Sequence, residues 1–467
     1  MDYSSMVNAI NNAIKNKGLK LDGIDVSSKM AQAITKWALM YQDKAPWIGK
    51  ECKSAGIPAS IASEMARLVT IELKATVDGD NEKAKLLNSI LQDKILTKLR
   101  KNTEYGVALG GMVFKPYPAN GKISIQCNKA YEYYPITFDS DGNITQCAFT
   151  EQITRGRTVY TRIELHSLNE AISTVTVDNL AFMSNNTSTL GNTISLEQVP
   201  KWADIAEHAE LHDTDKLLCG FFIMPLTNVL DPNSALGMSI YGRSIPRIHE
   251  ADVRYTQISW EYESKETAIH ASSSMFKQDK YTGKPVLPKG KEKLYREVEY
   301  STGASDKPFM DAFSPEIRDE SYYNGYNHLL RMIEFECGLA YGSLSDANDV
   351  DKTAEEIKAS KQRSFSTVAD IQEALEKSLR DLISAIDYWI TNDESVKVPD
   401  GDYTVTFEWS DSVVNSKDDK IDQWRQDVAM GVMSLVEYRM LTRGETEEEA
   451  KAKIPQIADI DGNKDDV

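Results

Sequence analysis

The sequence has few cysteines and no pattern among them. Five cysteines occur in 467 residues; they are scattered, and no two are spaced as Cys-x-x-Cys. This usage argues against a disulfide framework and against a zinc site, and it favours a reducing compartment. Long apolar runs are missing as well: the longest, residues 217–226, has ten residues, whereas a membrane span needs about 20. The first ten residues lack the basic start and apolar core of a signal peptide.

Motifs for nucleotide binding and catalysis are also absent. The sequence contains no GxxxxGKS/T phosphate loop, no GxGxxG and no HExxH. His208 and His212 lie in the segment HAELH, which predicts a surface helix with both imidazoles on one face; a metal site is the alternative, but no third ligand is in view. The tail at Asp459 resembles part of a calcium loop without its closing glutamate. We therefore expect no enzymatic activity, no metal and no cofactor.

Negative charge exceeds positive charge by a wide margin. The chain has 71 acidic and 53 basic residues, a net charge of −18. Solubility is the simplest meaning of this excess. It also counts against tight, non-specific DNA binding by the whole chain, because contacts with phosphates need Lys and Arg. A protein that lets DNA slide past without binding it remains compatible with the composition.

Local patterns predict an α+β protein with two to four domains. Residues 1–105 have helical periodicity. Residues 106–180 contain short β-rich runs separated by Asn120-Gly121 and Asp141-Gly142, two dipeptides typical of hairpin turns. We expect an antiparallel meander in this region and a polar excursion at 181–215.

Three long helices are predicted in the middle of the chain. The first follows the turn at Asp231-Pro232, and the second begins with Ser314 as N-cap and Pro315 as the first helical residue. The third begins with a capping box, Thr353 and Glu356, and continues to residue 392 without Gly or Pro, a length of about 60 Å. A strand and two capped helices are then predicted, at 403–409, Ser434–Glu437 and Thr446–Glu449.

A basic segment separates the first two long helices. Between residues 277 and 297 it has seven basic residues against three acidic ones. The basic residues are Lys277, Lys280, Lys284, Lys289, Lys291, Lys293 and Arg296. One interpretation is a solvated hairpin tip. The other is a docking surface for an acidic partner, or a place where nucleic acid passes.

An acidic loop separates the second and third long helices. Between residues 343 and 352 it has three Asp and one Lys. Its candidate functional residues are Ser343, Leu344, Ser345, Asp346, Asn348, Asp349, Asp351 and Lys352. Taken alone, the segment is an ordinary connection between helices. In a ring of subunits it would project into the lumen.

Seven short segments, spread over about residues 25–455, carry a resemblance to a known family. They are Lys29-Met30 with Trp37 and Pro46-Trp47; ASEMARLV at 62–69; ALGG at 108–111; LGMSIY at 236–241; GLAYG at 338–342; KTAEEI at 352–357; and GVMS at 431–434 with EYR at 437–439. In these segments the chain resembles the portal proteins of tailed bacteriophages, of the group common in siphophages of Gram-positive hosts.

The resemblance implies a ring, usually a dodecamer, at one vertex of the capsid. Such a ring is a head–tail connector and a conduit for DNA packaging and ejection. Its partners would be the terminase large subunit, head-completion or adaptor proteins, and the major capsid and scaffolding proteins, with no membrane. Double-stranded DNA would pass through the channel without sequence specificity. The protein would be located at the portal vertex of the virion, and in the host cytoplasm during assembly.

The resemblance also implies a division into wing, stem, clip and crown, with long channel-lining helices and an antiparallel, β-rich wing. The expected regions are the wing at 1–232, stem helices at 233–265 and 314–340, the clip and terminase docking site at 266–313, the tunnel loop at 341–352, a long helix returning to a wing strand at 353–410, and the crown with an acidic tail at 411–467.

Two other functions stay open. One is another structural component of the phage head, such as a minor capsid or adaptor protein. The order of helix, basic tip, helix, loop and helix favours a portal protein over these. The other is a hydrolase with a pair of catalytic carboxylates. Such an enzyme needs a compact barrel or cleft, which the long central helices disfavour.

Overall fold

The computed structural model describes most of the chain, in two units, Met1–Phe407 and Glu408–Val467. The described residues are 3–18, 23–24, 26–232, 234, 236–264, 268–272, 277–279, 281, 285–286, 295–298, 310–313, 316, 318–346, 354–409 and 417–454. They form helices and mainly antiparallel sheets, so the predicted α+β class is confirmed.

Helices occur throughout the described ranges. They are α1 (Tyr3–Lys17), α2 (Ser28–Tyr41), α3 (Ile57–Thr70), α4 (Glu82–Ile90), α5 (Thr97–Leu109), α6 (Ile245–Ser264), α7 (Asp319–Glu336), α8 (Ala354–Asn392), α9 (Lys417–Ala429), α10 (Leu435–Arg443) and α11 (Glu447–Ala452). A π-helical segment, Leu91–Leu96, joins α4 to α5, so these two helices form one continuous helical stretch that contains a wide turn.

Strands cluster between α5 and α6. They are β1 (Lys74–Asp78), β2 (Gly111–Ala119), β3 (Lys122–Lys129), β4 (Tyr133–Phe138), β5 (Ile144–Arg155), β6 (Thr158–Asn169), β7 (Thr174–Ser184), β8 (Asn192–Ile194), β9 (His208–Leu211), β10 (Gly220–Ile223), β11 (Ala268–Ser272), β12 (Lys277–Gln278), β13 (Pro285–Val286), β14 (Tyr295–Val298), β15 (Met310–Phe313) and β16 (Thr404–Glu408).

The predicted meander is confirmed. Strands β4 to β8 lie side by side in chain order, β9 pairs with β7, and β2 pairs with β3 and β10 in a second sheet. The turn between β2 and β3 is Asn120-Gly121, with φ of 52° and 68°. Positive φ at both central residues is the geometry that hairpin turns need, which explains this dipeptide. The strand predicted at 403–409 is β16, which pairs with β1.

The segment 181–215 is not the loose excursion that its polarity predicts. Strand β7 continues to Ser184, and Trp202, fully buried, packs with Ala181, Leu196 and Val199. The HAELH segment forms strand β9 rather than a helix, because its backbone pairs with β7 over Val175–Asp178. His208 bonds to the carboxylate of Asp178, its neighbour across the strands, at 2.8 Å.

The first two long helices are shorter than predicted. Helix α6 begins at Ile245 rather than near 233, because the preceding segment is tied to the end of α5 instead of forming helical bonds. Ile240 N–H donates to the Val107 carbonyl oxygen at 3.1 Å. A Cβ on Gly237 would lie 2.1 Å from the oxygen of Gly110, so this contact requires glycine. Two segments that carry the family resemblance, ALGG and LGMSIY, therefore meet here.

Helix α7 begins at Asp319 rather than at Ser314, which lies outside the described residues together with Pro315. Arg318, at the N-cap, has non-helical backbone angles. The first turn contains Asp319 and Glu320, whose negative charges are favourable at a helix N-terminus. The cap predicted at Ser314 lies outside the described residues, and the described helix begins five residues further along.

The third long helix agrees with its predicted bounds. Helix α8 has 39 residues, about 58 Å, and its face of Ile371, Leu375 and Leu379 is fully buried. The backbone of Ser378 comes so close to β10 that a Cβ on Gly220 would lie 2.3 Å from its oxygen. The helix thus packs directly on the β2–β3–β10 sheet. Thr353, the predicted cap, lies outside the described residues.

The second unit contains α9, α10 and α11. Both predicted capping boxes are confirmed: Ser434 and Glu437 begin α10, and Thr446 and Glu449 begin α11. In each box the hydroxyl accepts from the N3 backbone and the glutamate accepts from the N-cap backbone, which satisfies two donors at the helix start.

Candidate functional site

Helices α6 and α7 form an antiparallel pair. Contacts along its length link Ser244 to Cys337, Arg247 to Glu336, Tyr255 to Tyr326 and Glu261 to Arg318. The sum of the two residue numbers stays nearly constant along these contacts, as antiparallel packing requires. Apolar side chains, including Ile248 and Ile333, fill the space between the helices and are fully buried.

Each helix of this pair has four carboxylates, while the two together have only three arginines and no lysine. Three of the eight carboxylates are almost completely buried: Asp252 is 2% exposed, Glu261 1% and Glu334 0%. Burying a carboxylate is costly unless it is hydrogen-bonded or paired. The partners of these three therefore show what the helix pair is attached to.

Asp252 attaches α6 to residues 47–55, a segment before α3 that we call the strap. Its Oδ2 accepts a hydrogen bond from Trp47 Nε1 at 2.8 Å, and its Oδ1 accepts one from the backbone N–H of Ala55 at 2.9 Å. The backbone N–H of Lys53 donates to Thr256 Oγ1, one turn further along α6. Burial raises the pKa of the Asp252 carboxyl above its ordinary value.

Glu261 links the two helices at the other end of the pair, near the C-terminus of α6. Both of its carboxylate oxygens accept hydrogen bonds from the Arg318 guanidinium, at 3.2 and 3.1 Å. This two-pronged geometry is the strong form of an arginine–carboxylate contact. The hydrogen bonds that Arg318 donates to Glu261 raise the pKa of Arg318. The C-terminal end of α6 is thereby joined to the residue at which α7 begins.

Glu334 lies in the last turn of α7 and binds the segment that follows the helix. Its Oε1 accepts from the backbone N–H groups of Leu344 and Ser345, at 2.6 and 2.8 Å. Its Oε2 accepts from Ser345 Oγ at 2.8 Å. Seven residues earlier on α7, Asn327 Oδ1 accepts from the backbone N–H of Asp346 at 2.8 Å. Residues 337–346, which we call the junction, are therefore folded back onto α7.

The junction also contacts α8. The backbone N–H of Tyr341 donates to Ser360 Oγ at 2.9 Å. The Arg363 guanidinium lies over the rings of Phe335 and Tyr341, at 4.4 and 5.2 Å from their centroids. At Gly338, with φ of +67°, a Cβ would lie 2.4 Å from Thr367 Oγ1. Close packing and a left-handed backbone both require glycine there.

Half of the predicted tunnel-loop residues fall in the junction. Ser343, Leu344, Ser345 and Asp346 are described, and Ser345 is buried. The other half lies outside the described residues: Asn348, Asp349, Asp351 and Lys352. The binding of this segment by Glu334 could not be predicted from the sequence, because a glutamate in an amphipathic helix is normally exposed.

Few of the predicted clip residues can be placed. Lys277 lies on β12, which pairs with β13, whereas Arg296 lies on β14 in a separate sheet with β11 and β15. The structure therefore does not bring these two basic residues onto one sheet. The remaining five lie outside the described residues: Lys280, Lys284, Lys289, Lys291 and Lys293.

A buried polar cluster that the sequence analysis missed lies between β2 and β6. The Glu164 carboxylate contacts Lys115 Nζ at 2.5 Å, Arg162 Nη2 at 3.2 Å and His166 Nε2 at 2.7 Å. Burial alone would raise the pKa of Glu164, but Lys115, His166 and Arg162 hold it well below its ordinary range. Burial lowers the pKa of His166. The signal in the sequence was the alternation of polar residues at 162, 164 and 166.

The described ranges contain no candidate metal centre and no helix that could span a membrane. No group of three His, Cys, Asp or Glu residues there is arranged to hold a metal ion. No described helix is long and apolar enough to cross a membrane.

Comparisons with known proteins were made for sequence and for structure. The family model described as "Phage portal protein, SPP1 Gp6-like" matches residues 55–461. No curated protein matches the sequence. A solved structure titled "Neck of native GTA particle computed with C12 symmetry" is similar at 11% identity and a TM-score of 0.43, over 87% of this chain and 92% of that chain. The family match spans most of the sequence, and the chain therefore belongs to the SPP1 Gp6-like family of phage portal proteins.

Proposed function

We propose that this chain is one subunit of a ring at a capsid vertex, through which DNA enters the head and leaves it. The family membership supports an oligomeric ring in the phage head. The structural observation that supports the proposal is the antiparallel pair of α6 and α7. A hydrogen-bonded junction joins this pair to the 39-residue helix α8. We also propose that the chain has no enzymatic activity and that a separate terminase supplies the energy.

We propose the following regions for the subunit. Helices α6 and α7 are the stem, and residues 266–313 between them are the clip, where terminase and later head-completion proteins dock. Residues 341–352 are the tunnel loop. Residues 1–232 with β16 are the wing, and residues 411–467 are the crown.

The charges of the proposed stem favour passage of DNA without binding. Three of its eight carboxylates are buried. Of the others, Glu250 pairs with Arg254 at 3.5 Å, Glu263 with Lys53 at 3.2 Å, and Glu336 with Arg247. A surface whose charges are paired within the subunit offers few cations to phosphates, so little binding by counterion release is expected.

The proposed stem also has apolar side chains for a neighbouring subunit to cover. Trp260 is 61% exposed, Phe335 54% and Tyr323 50%. Large aromatic residues are common at the centre of protein interfaces. We propose that adjacent subunits of the ring pack against this surface.

Negative-stain electron microscopy and native mass measurement test the ring. Rings with a central hole are expected, and their mass gives the subunit number. A protein that remains monomeric with capsid and scaffolding proteins present would contradict the proposal. Rings that form but never support DNA packaging would favour the alternative, another structural component of the phage head.

Charge reversal tests the proposed docking site. The variant with Lys289→Glu, Lys291→Glu and Lys293→Glu should form rings and lose terminase binding in a pull-down assay. A matched control reverses three exposed lysines elsewhere, Lys15, Lys85 and Lys101. Equal terminase binding by the two variants would contradict the docking role of residues 266–313.

A further inference from the structure

The end of the junction is bound to side chains of α7 by four hydrogen bonds. Leu344, Ser345 and Asp346 all donate their backbone N–H groups to side chains of α7, and Ser345 adds its hydroxyl. The hydrogen bond from the junction to α8 is made earlier, by Tyr341 to Ser360. The described start of the acidic loop is therefore bound to the helix that precedes it.

The Glu334 carboxylate is well suited to hold the backbone of the junction in place. Two successive backbone N–H groups converge on one oxygen of a fully buried carboxylate, and a hydroxyl reaches the other. Hydrogen bonds to an ionised acceptor are shorter and about twice as strong as neutral ones. Asn327 lies seven residues earlier, two turns along the same face of α7, and fixes the next residue of the chain. Together they set both the position and the direction in which the chain leaves the junction.

We propose that Glu334 is a positioning residue that fixes residues 344–346, the described start of the acidic loop, to α7. This inference rests on the proposed function for the role of the loop in the channel, but the attachment itself can be measured without DNA.

Hydrogen exchange of full-length protein, resolved to the amides of Leu344, Ser345 and Asp346, tests the attachment. In Glu334→Ala these amides should exchange about tenfold faster or more, because the acceptor is lost. In Glu334→Gln most of the protection should return, since the amide oxygen accepts from both N–H groups and the amide nitrogen can donate to Ser345 Oγ. Glu320→Ala, an exposed glutamate of the same helix, is the matched control and should leave exchange unchanged.

A second variant separates α7 from α8 as the support of the loop. Ser360→Ala removes the hydrogen bond from Tyr341 to α8 and should leave the amides of 344–346 protected. Unchanged exchange in Glu334→Ala, or equal acceleration in Ser360→Ala, would overturn the proposal. If Glu334→Ala does not fold, Asn327→Ala provides the same test at Asp346, where retained protection would overturn the proposal.

DNA packaging by assembled particles separates this inference from the proposed function. Glu334→Ala should reduce packaging, Glu334→Gln should restore it and Glu320→Ala should have no effect. If shortening of residues 343–352 leaves packaging unchanged, the tunnel-loop assignment is refuted, while the exchange data still decide whether Glu334 holds the junction. If shortening impairs packaging and Glu334→Ala does not, the positioning role of Glu334 is refuted.

Discussion

Replacing Asp252 by alanine should detach the strap from α6. The substitution removes the acceptor of Trp47 Nε1 and of the Ala55 backbone N–H, both half-buried. Each hydrogen bond contributes about 1 kcal/mol net, so their loss alone would cost about 2 kcal/mol of unfolding free energy. Burial raises the pKa of Asp252, which means that its charged form is unfavourable in the folded protein. Removing this charge at neutral pH therefore offsets part of the lost unfolding free energy. We expect a loss of about 1–2 kcal/mol at pH 7.

The stability cost of Asp252→Ala should depend on pH. The pKa of the Asp252 carboxyl is higher in the folded protein than in the unfolded chain, so between these two pKa values the carboxyl takes up a proton on folding. Its contribution to the free energy of unfolding therefore increases as the pH falls through this range and decreases as the pH rises. Relative to Asp252→Ala, the unmutated protein should gain stability as the pH falls from 7 towards 4. The cost of the substitution is therefore larger at pH 4 than at pH 7.

Urea unfolding, followed by tryptophan fluorescence at a fixed protein concentration, measures both effects. Asp252→Asn keeps one acceptor and should cost less than Asp252→Ala. Glu250→Ala removes an exposed ion pair with Arg254 from the same helix and should change stability by less than about 0.5 kcal/mol. If Asp252→Ala costs no more than Glu250→Ala, or if its cost falls at low pH, the argument from burial is refuted.

Three further changes test other parts of the fold. Glu164→Met should cost about 3–5 kcal/mol in urea unfolding because the buried Lys115 loses its carboxylate partner, and substitution of both residues by Met should cost less. Lys115→Met alone should cost less than Glu164→Met, because Arg162 and His166 still contact Glu164. Gly338→Ala should cost about 2 kcal/mol through its left-handed backbone and the contact with Thr367, whereas Gly325→Ala, a helical position with open space, should gain about 0.5–1 kcal/mol by the same measurement. Thr446→Ala should cost α11 about 1 kcal/mol, which accelerated hydrogen exchange in its first turn would reveal.

The features predicted correctly from sequence are those that local interactions determine. Helix α8 was predictable because 39 residues without Gly or Pro keep one apolar face, and the boxes that begin α10 and α11 are complete within four residues each. The turn at Asn120-Gly121 is equally local, since its backbone angles depend on those two residues.

The features predicted incorrectly depend on contacts between distant segments. The start of α6 is displaced because Gly237 packs against Gly110, more than a hundred residues away in the chain. The segment 181–215 is ordered because Trp202 finds a buried place against β7. The contact of Gly237 with Gly110 and that of Trp202 with β7 could not be predicted from the local sequence. The sequence is rich in small residues around Gly237 and polar in the segment 181–215.

The role of the acidic residues on α6 and α7 also depends on contacts between distant segments. From composition, eight carboxylates against three arginines on α6 and α7 predict a strongly repulsive wall for the proposed channel. Their placement gives a different result, because Asp252, Glu261 and Glu334 are buried and bind the strap, Arg318 and the junction. The partners of these carboxylates lie within the same subunit, at hydrogen-bond distance. If this helix pair lines the proposed channel, we expect low affinity for DNA because the pair has only three arginines and no lysine. The three buried carboxylates would then hold the helices, the strap and the junction together rather than repel DNA.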